Sequence, residues 1–348
     1  MITLEDIKKI DAYGMYDLIR RFPEQWREAR LLAQDIPLDL SVGELEQVVV
    51  AGMGGSAIGG DLLRTYAHAQ SPIPILVSRD YTLPASVGLK TLVIASSYSG
   101  NTEETLSAFE EAYRRGARLF CISSGGELLR RAREYGIPFL QIPGGMPPRA
   151  ALAYSLVPLL SLAHQVGFAR VYEEDWEESQ ELLEGLAKEW GTPANNAAVH
   201  IASQLRDRLP VVYSATGLLE AVNLRWRTQL NENAKTLAWG NVYPELNHNE
   251  VMGWEGTDWL AERAAIVTLR DKDDHPRVQL RMSIMRDMLA EKVAFWAEID
   301  TRGEGRLARM ISMVHLGDWV SFYLAILRGV DPTVIRSIDR LKAALSTA

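Results

Sequence analysis

Residues 91–105 read TLVIASSYSGNTEET, and this stretch decides the fold. Its first six residues are mostly apolar or β-branched, the composition of a strand covered on both faces. The remainder turns through Ser97, Tyr98, Ser99, Gly100 and Asn101 into residues 102–115, where apolar positions recur at helical spacing. A strand that feeds a helix through a short turn is the repeating unit of a parallel sheet with crossover helices. The neighbours on either side keep that rhythm. Upstream, VVVA at 48–51 runs into GMGGSAIGGD at 52–61 and a helix over 58–69, followed by a strand over 73–78. Downstream come a strand over 118–123 and a helix over 126–135. Such alternation predicts a doubly wound α/β sheet.

In an open parallel sheet, ligands sit beyond the carboxyl ends of the strands. Two loops are predicted there. The first, carrying Gly52, Gly54, Gly55, Ser56 and Ala57, fits the dinucleotide pattern GxGxxA, with Asp80 past the next strand. That acidic residue lies farther downstream than the roughly 20 residues the fingerprint asks for. Glycines are also what any tight turn needs, whether it approaches an anion or only reverses the chain. The second loop offers the hydroxyls of Ser97, Ser99 and Thr102 together with backbone N–H groups at a helix start. That is a seat for an anion, assisted by the helix dipole. A plain N-cap followed by Glu103 and Glu104 would use one hydroxyl only. A dinucleotide needs no second hydroxyl-rich loop, whereas the terminal oxygens of a phosphomonoester take several donors at once. The loop reads as phosphate binding.

Beyond this core, PGGMPPR at 143–149 breaks the rhythm and leads into residues 150–169, which carry no Asp, Glu, Lys or Arg. Pro158, His164 and Gln165 make that stretch weakly apolar for a membrane span, so a buried helix is expected. Residues 4–33 read as helical, and 173–188 as a charged helical connector. A second, weaker α/β pattern begins near Pro210, with strands expected over 211–214, 264–269 and 295–299. Two domains of shared architecture are expected, 1–175 and 176–348.

The 348 residues are 47% apolar and 24% charged, the usual balance of a globular chain. A net charge of −8, without a basic cluster, argues against a nucleic-acid partner, so any anionic ligand must be held by local devices. Cys121 is the only cysteine, which rules out an intrachain disulfide and makes a reducing, cytoplasmic location the expectation. Glu5, Asp6, Lys8, Lys9 and Asp11 deny the first residues the apolar core of a signal peptide, and no membrane partner is expected. No pair of histidines has HExxH spacing, so no zinc site is expected.

SSYSGNTEET after a strand, paired with the upstream GMGGSAIGGD, resembles the sugar isomerase (SIS) domain. Three further segments narrow the resemblance: MPPRAALAYSLVPLL, NLRWRTQLNENAKTLAWGNVYPELNHNEVMGW and DPTVIRSIDRLK. Together they are similar to the bifunctional phosphoglucose/phosphomannose isomerases, from about residue 45 to the C-terminus. The resemblance implies two SIS domains, each a doubly wound five-stranded parallel sheet flanked by helices. It also implies aldose–ketose isomerisation of hexose 6-phosphates without metal or organic cofactor, in a homodimer whose active sites lie at the subunit interface.

Isomerisation by proton transfer needs a base between C1 and C2, stabilisation of the enediolate, and an acid/base pair that opens the ring. A lone Glu near a helix end reads as a surface residue, but the motif around Glu232 matches the family's catalytic base. His248 matches the family's ring-opening histidine, supplied in related isomerases by the partner subunit. Arg149 begins the apolar stretch, where the helix dipole disfavours a cation; by resemblance its guanidinium binds the enediolate. Lys342 would help to open the ring, although a Lys near a helix C-terminus is common for electrostatic reasons. Thr333 resembles a family threonine that loosens C2 stereochemistry, and equally suits an N-cap. Gly54, Gly55 and Ser56 join Ser97, Ser99 and Thr102 as the other side of the phosphate site. Two readings from other classes stay open: a non-catalytic SIS module that senses a sugar phosphate, and a nicotinamide dehydrogenase built on Gly52, Gly54 and Ala57.

Overall fold

The computed structural model describes residues 2–194 and 196–345. The chain forms two compact units, Arg21–Leu183 with Gly303–Met310, and Met1–Arg20 with Glu184–Arg302 and Ile311–Ala348. The single division expected at 175/176 is therefore replaced by an interleaved one. The helices α1 (Leu4–Ile10) and α2 (Met15–Arg20) belong to the later unit, and α3 (Phe22–Leu32) to the earlier one. Tyr16 explains the exchange. Its ring packs edge-on against Trp319 at 5.5 Å, and its hydroxyl donates to the Gly191 carbonyl at 2.6 Å. The continuous helix expected over 4–33 breaks because Asp11 turns back to accept from the N–H groups of Met15 and Tyr16, capping α2.

The unit holding residues 21–183 is built on a parallel sheet in the order β2-β1-β3-β4-β5. Its strands are β1 (Gln47–Ala51), β2 (Ile75–Ser78), β3 (Thr91–Ser96), β4 (Arg118–Ser123) and β5 (Phe139–Gln141). The helices α4 (Gly54–Ala67), α5 (Glu103–Arg114), α6 (Gly126–Glu134) and α7 (Ala153–Val166) flank it. Every residue of β1 and β3 is buried, as their continuous apolar runs require of central parallel strands. One face packs Val49, Val93, Ala95 and Cys121 against Phe109 of α5 and Leu128 of α6. Each large apolar side chain buried there contributes about 1.5–3 kcal/mol. Burial pushes the Cys121 thiol up to about 12, which makes it a packing residue. The uncharged stretch after Arg149 folds as α7, buried on nearly every side.

After α8 (Glu173–Gly191) and α9 (Ala197–Leu205), a second parallel sheet runs in the order β7-β6-β8-β9. Its strands are β6 (Leu209–Ala215), β7 (Trp239–Tyr243), β8 (Ala264–Arg270) and β9 (Phe295–Asp300). The resemblance implied five strands; the described residues form four. Strand β7 is the one in this sheet that the sequence hid, because Gly240 and Asn241 dilute its β-propensity. The glycine is required: a Cβ there would lie 2.6 Å from the Val212 carbonyl oxygen. The remaining helices are α10 (Glu220–Ala234), α11 (Glu250–Gly253), α12 (Asp258–Ala261), α13 (Pro276–Leu289), α14 (Arg306–Leu327) and α15 (Arg336–Leu345). Among the described residues α14 alone is long and apolar enough to cross a membrane, and 94% of its apolar window is buried, as in a core helix.

Both sheets share one winding. The first strand is central, the second pairs on one side of it, and the third returns to the other side. The reversal falls between β1 and β3 in one sheet and between β6 and β8 in the other. At such a reversal the two loops leaving the carboxyl ends diverge and open a crevice.

Candidate active site

In the first sheet that crevice lies between the glycine loop after β1 and the hydroxyl loop after β3. The two loops are joined. A Cβ on Gly52 would meet the Ser96 carbonyl oxygen at 2.7 Å, so the backbones can approach only because residue 52 is glycine. The Ser56 hydroxyl accepts from the Tyr98 N–H at 3.2 Å. Ser97 is buried, and its hydroxyl pairs with that of Thr102 at 2.9 Å while accepting from the Gly100 N–H at 3.1 Å. Thr102 occupies the N-cap position of α5, yet its side chain makes no capping bond to the helix. The first-turn N–H groups are left without a side-chain cap and lie beside a row of hydroxyls. Ser99 is exposed, its hydroxyl accepting from the Asn101 N–H at 3.3 Å. Of the two first-turn carboxylates, that of Glu103 accepts from the Tyr81 hydroxyl at 3.2 Å. Hydroxyl donors, uncapped amides and the positive end of a helix dipole are together the chemistry that suits an anion.

Gly55 brings in a cation. A Cβ at that position would lie 2.7 Å from the Pro148 carbonyl oxygen and 3.4 Å from the Arg149 nitrogen. The turn Pro148–Ala150 therefore rests directly on the start of α4. Arg149 in that turn is only 4% exposed, so its residue is buried rather than solvated. Tyr98 ties the same turn region to the hydroxyl loop, since its phenol oxygen accepts from the Met146 N–H at 3.1 Å. Burial raises the Tyr98 phenol above its ordinary value and keeps it neutral. Tyr98 lies inside the quoted motif, but sequence reasoning passed over it because its backbone role was hidden.

The unit holding the second sheet carries Glu232, Thr333, His248 and Lys342. Helix α10 descends antiparallel to β7: Asn223 donates to the Asn241 carbonyl at 3.0 Å, and Asn231 accepts from the Ala238 N–H at 3.2 Å. Half-buried Glu232 thus sits at the amino end of β7, in a cavity of about 800 Å³ lined also by Asn231, Lys235, Asp331, Val334 and Ile335. Lys235 closes the helix in a left-handed conformation, φ 51°. Its ammonium donates to the carbonyls of Glu232 at 3.0 Å and Asp331 at 2.6 Å. It was missed because that link joins residues 96 positions apart. Thr333 stands between two cavity-lining residues, its N–H donating to the Asp331 carboxylate at 2.7 Å. Lys342 is exposed on α15, whose first turn lines the cavity while Lys342 itself does not.

His248 is held elsewhere. Asn223 of α10 reaches Ser214 Oγ at 3.3 Å, whereas the turn after β7 bonds the Tyr213 hydroxyl through Glu250. Adjacent strand residues face opposite sides of a sheet. Helix α10 with Glu232 and the turn with His248 therefore cover opposite faces of the second sheet. Within one chain these two candidates do not meet.

A family model described as the bacterial phospho-glucose isomerase C-terminal SIS domain matches residues 194–345. The chain is 41% identical over 335 residues to a bifunctional phosphoglucose/phosphomannose isomerase of Caldicellulosiruptor bescii, covering 95% of this chain and 99% of the relative. The relative of the same name in Aquifex aeolicus is 39% identical, with 90% and 93% covered. Among solved structures, the C-terminal domain of glucosamine-fructose-6-phosphate aminotransferase from Francisella tularensis superposes with a TM-score of 0.66 at 16% identity. That match covers 92% of this chain and 98% of the other, and speaks for the shared fold alone. With near-complete coverage at such identity, the chain belongs to the bifunctional phosphoglucose/phosphomannose isomerase family and is an aldose–ketose isomerase.

Proposed function

We propose that this chain interconverts glucose 6-phosphate and mannose 6-phosphate with fructose 6-phosphate, through ring opening and a cis-enediolate. The observation that carries the substrate class is the loop 97–102, where Ser97, Ser99 and Thr102 flank an uncapped helix start beside buried Arg149. Gly54, Gly55 and Ser56 form the other wall. In this scheme the phosphate oxygens accept from the hydroxyls and amides, and the Arg149 guanidinium stabilises the enediolate oxygens as charge develops on them. Glu232 carries the proton between C1 and C2. His248 and Lys342 move the protons that open the ring, and Thr333 governs which face of C2 is reprotonated. No metal or organic cofactor enters the scheme, and a cytoplasmic location suits a chain whose one cysteine is a buried thiol.

The opposite-face placement of Glu232 and His248 supports a homodimer in which His248 serves the partner's Glu232. A coupled assay on all three hexose phosphates, run with EDTA present, tests the function. Turnover of each substrate undiminished by EDTA is expected. Binding of fructose 6-phosphate without turnover would instead mark a sugar-phosphate sensor. For the loop, Ser97→Ala combined with Thr102→Ala removes two hydroxyls from a charged ligand and should raise KM for fructose 6-phosphate by about ten-fold or more. An unchanged KM would contradict the phosphate assignment.

A further inference from the structure

The exposed imidazole of His248 makes no hydrogen bond or ion pair to any described residue. Its place is set by the backbone of the turn after β7 alone. That turn is anchored by buried Leu246 and Trp254, and between them by Glu250. The Glu250 carboxylate accepts from the Tyr213 hydroxyl through Oε1 and from the Asn241 amide through Oε2, the latter at 2.8 Å. Tyr213 and Asn241 are register partners on β6 and β7. The Tyr213 hydroxyl in turn accepts from the Trp254 indole at 3.1 Å, which closes the network onto the end of the turn. At the near end, the Glu250 N–H donates to the Asn249 side chain at 2.6 Å, and that side chain donates to Glu245 at 2.6 Å, on either side of His248.

We propose that Glu250 is a positioning residue for His248, clamping its turn to β6 and β7 so that the imidazole is presented in one place. The proposal rests on the ring-opening role assigned to His248 above. The chemistry of the clamp demands a carboxylate. Both neighbours donate to it, and an ionised carboxylate only accepts. A Gln side chain has one acceptor and one donor group, so either the Tyr213 hydroxyl or the Asn241 amide would lose its acceptor in a partly buried setting. Glu250→Gln therefore keeps the shape and opens the clamp.

The test uses two substrates of the full-length enzyme. Fructose 6-phosphate must be ring-opened. In 5-deoxyfructose 6-phosphate the hydroxyl that closes the ring is missing, so proton transfer at C1 and C2 proceeds without ring opening. Glu250→Gln should lower kcat/KM for fructose 6-phosphate by about ten-fold or more, the scale of a misplaced catalytic group. Its kcat/KM for the open-chain substrate should stay close to that of the unchanged protein. Tyr213→Phe, a milder opening of the same clamp, should show a smaller loss with the same selectivity. His248→Ala should lose about 10²-fold on the cyclic substrate alone. Equal losses on both substrates in Glu250→Gln, or no loss on either, would overturn the positioning role while His248→Ala behaves as expected. If His248→Ala itself fails to separate the substrates, the ring-opening assignment falls, and the clamp's role with it.

Discussion

Glu232→Gln should bind fructose 6-phosphate nearly as well as the unchanged enzyme and turn it over about 10²- to 10⁴-fold more slowly. The amide has the size and shape of the carboxylate but cannot accept the proton from carbon. The surroundings of Glu232 should survive the change. Its backbone carbonyl is held by Lys235 at 3.0 Å, and its neighbour Asn231 by the Ala238 N–H at 3.2 Å. The loss should therefore fall on kcat, with KM little changed, and on solvent-proton exchange at C1 and C2. A variant with near-normal kcat removes Glu232 from the mechanism. The same variant probes the partition of the site between subunits. If His248 serves the partner's Glu232, co-refolding Glu232→Gln chains with His248→Ala chains produces mixed dimers with one intact site each. Activity on fructose 6-phosphate then rises in the mixture well above that of either parent.

The second large effect is on stability. Asp318 on α14 is buried and bonds the Arg225 guanidinium at 2.8 Å and the Gln229 amide at 2.8 Å. Burial pushes the Asp318 carboxyl up, and Arg225 and Gln229 oppose the shift by favouring its ionised form. Nearby, Trp226 donates to the Met313 carbonyl at 2.8 Å and Asn233 to Ser321 at 3.0 Å. Asp318→Ala takes the counter-charge from a cation that is only 2% exposed. Breaking a buried pair from one side costs about 3–5 kcal/mol, because the remaining charge is desolvated without compensation. The denaturation midpoint should fall accordingly. Arg225→Met with Asp318→Leu, which removes both charges, should recover much of the loss. A single-variant loss below about 1 kcal/mol, the scale of a surface ion pair, would contradict a stabilising role for this buried pair.

What the sequence revealed followed the range of the interactions involved. VVVA and TLVIAS announced buried parallel strands because burial on both faces leaves its mark residue by residue. The hydroxyl loop was visible as a pattern for the same reason: Ser97, Ser99 and Thr102 lie within six consecutive residues. The edge strands β5 and β7 escaped, one for its length of three residues and the other for its glycine and asparagine. The interleaving of the two units was invisible, since it depends on Tyr16 reaching Trp319 across the whole chain. Arg149, Glu232, His248 and Lys342 acquired roles only through family resemblance. Their placement follows from sheet topology, and no local pattern states which face of β6 a later turn will cover.

The shared winding of the two sheets has a consequence for stoichiometry. Where the first sheet places hydroxyls after its third strand, the second has Asp271, Lys272, Asp273, Asp274 and His275 after β8. There the Asp274 carboxylate accepts from the Asp271 N–H at 2.9 Å, and Asp271 from the Thr301 hydroxyl at 3.0 Å. Burial pushes the Asp274 carboxyl up to about 6, so at neutral pH the loop still presents negative charge. The architecture is repeated, but the hydroxyl loop is not. With the phosphate held at that one loop, as proposed above, a phosphorylated ligand should titrate the protein at one per chain.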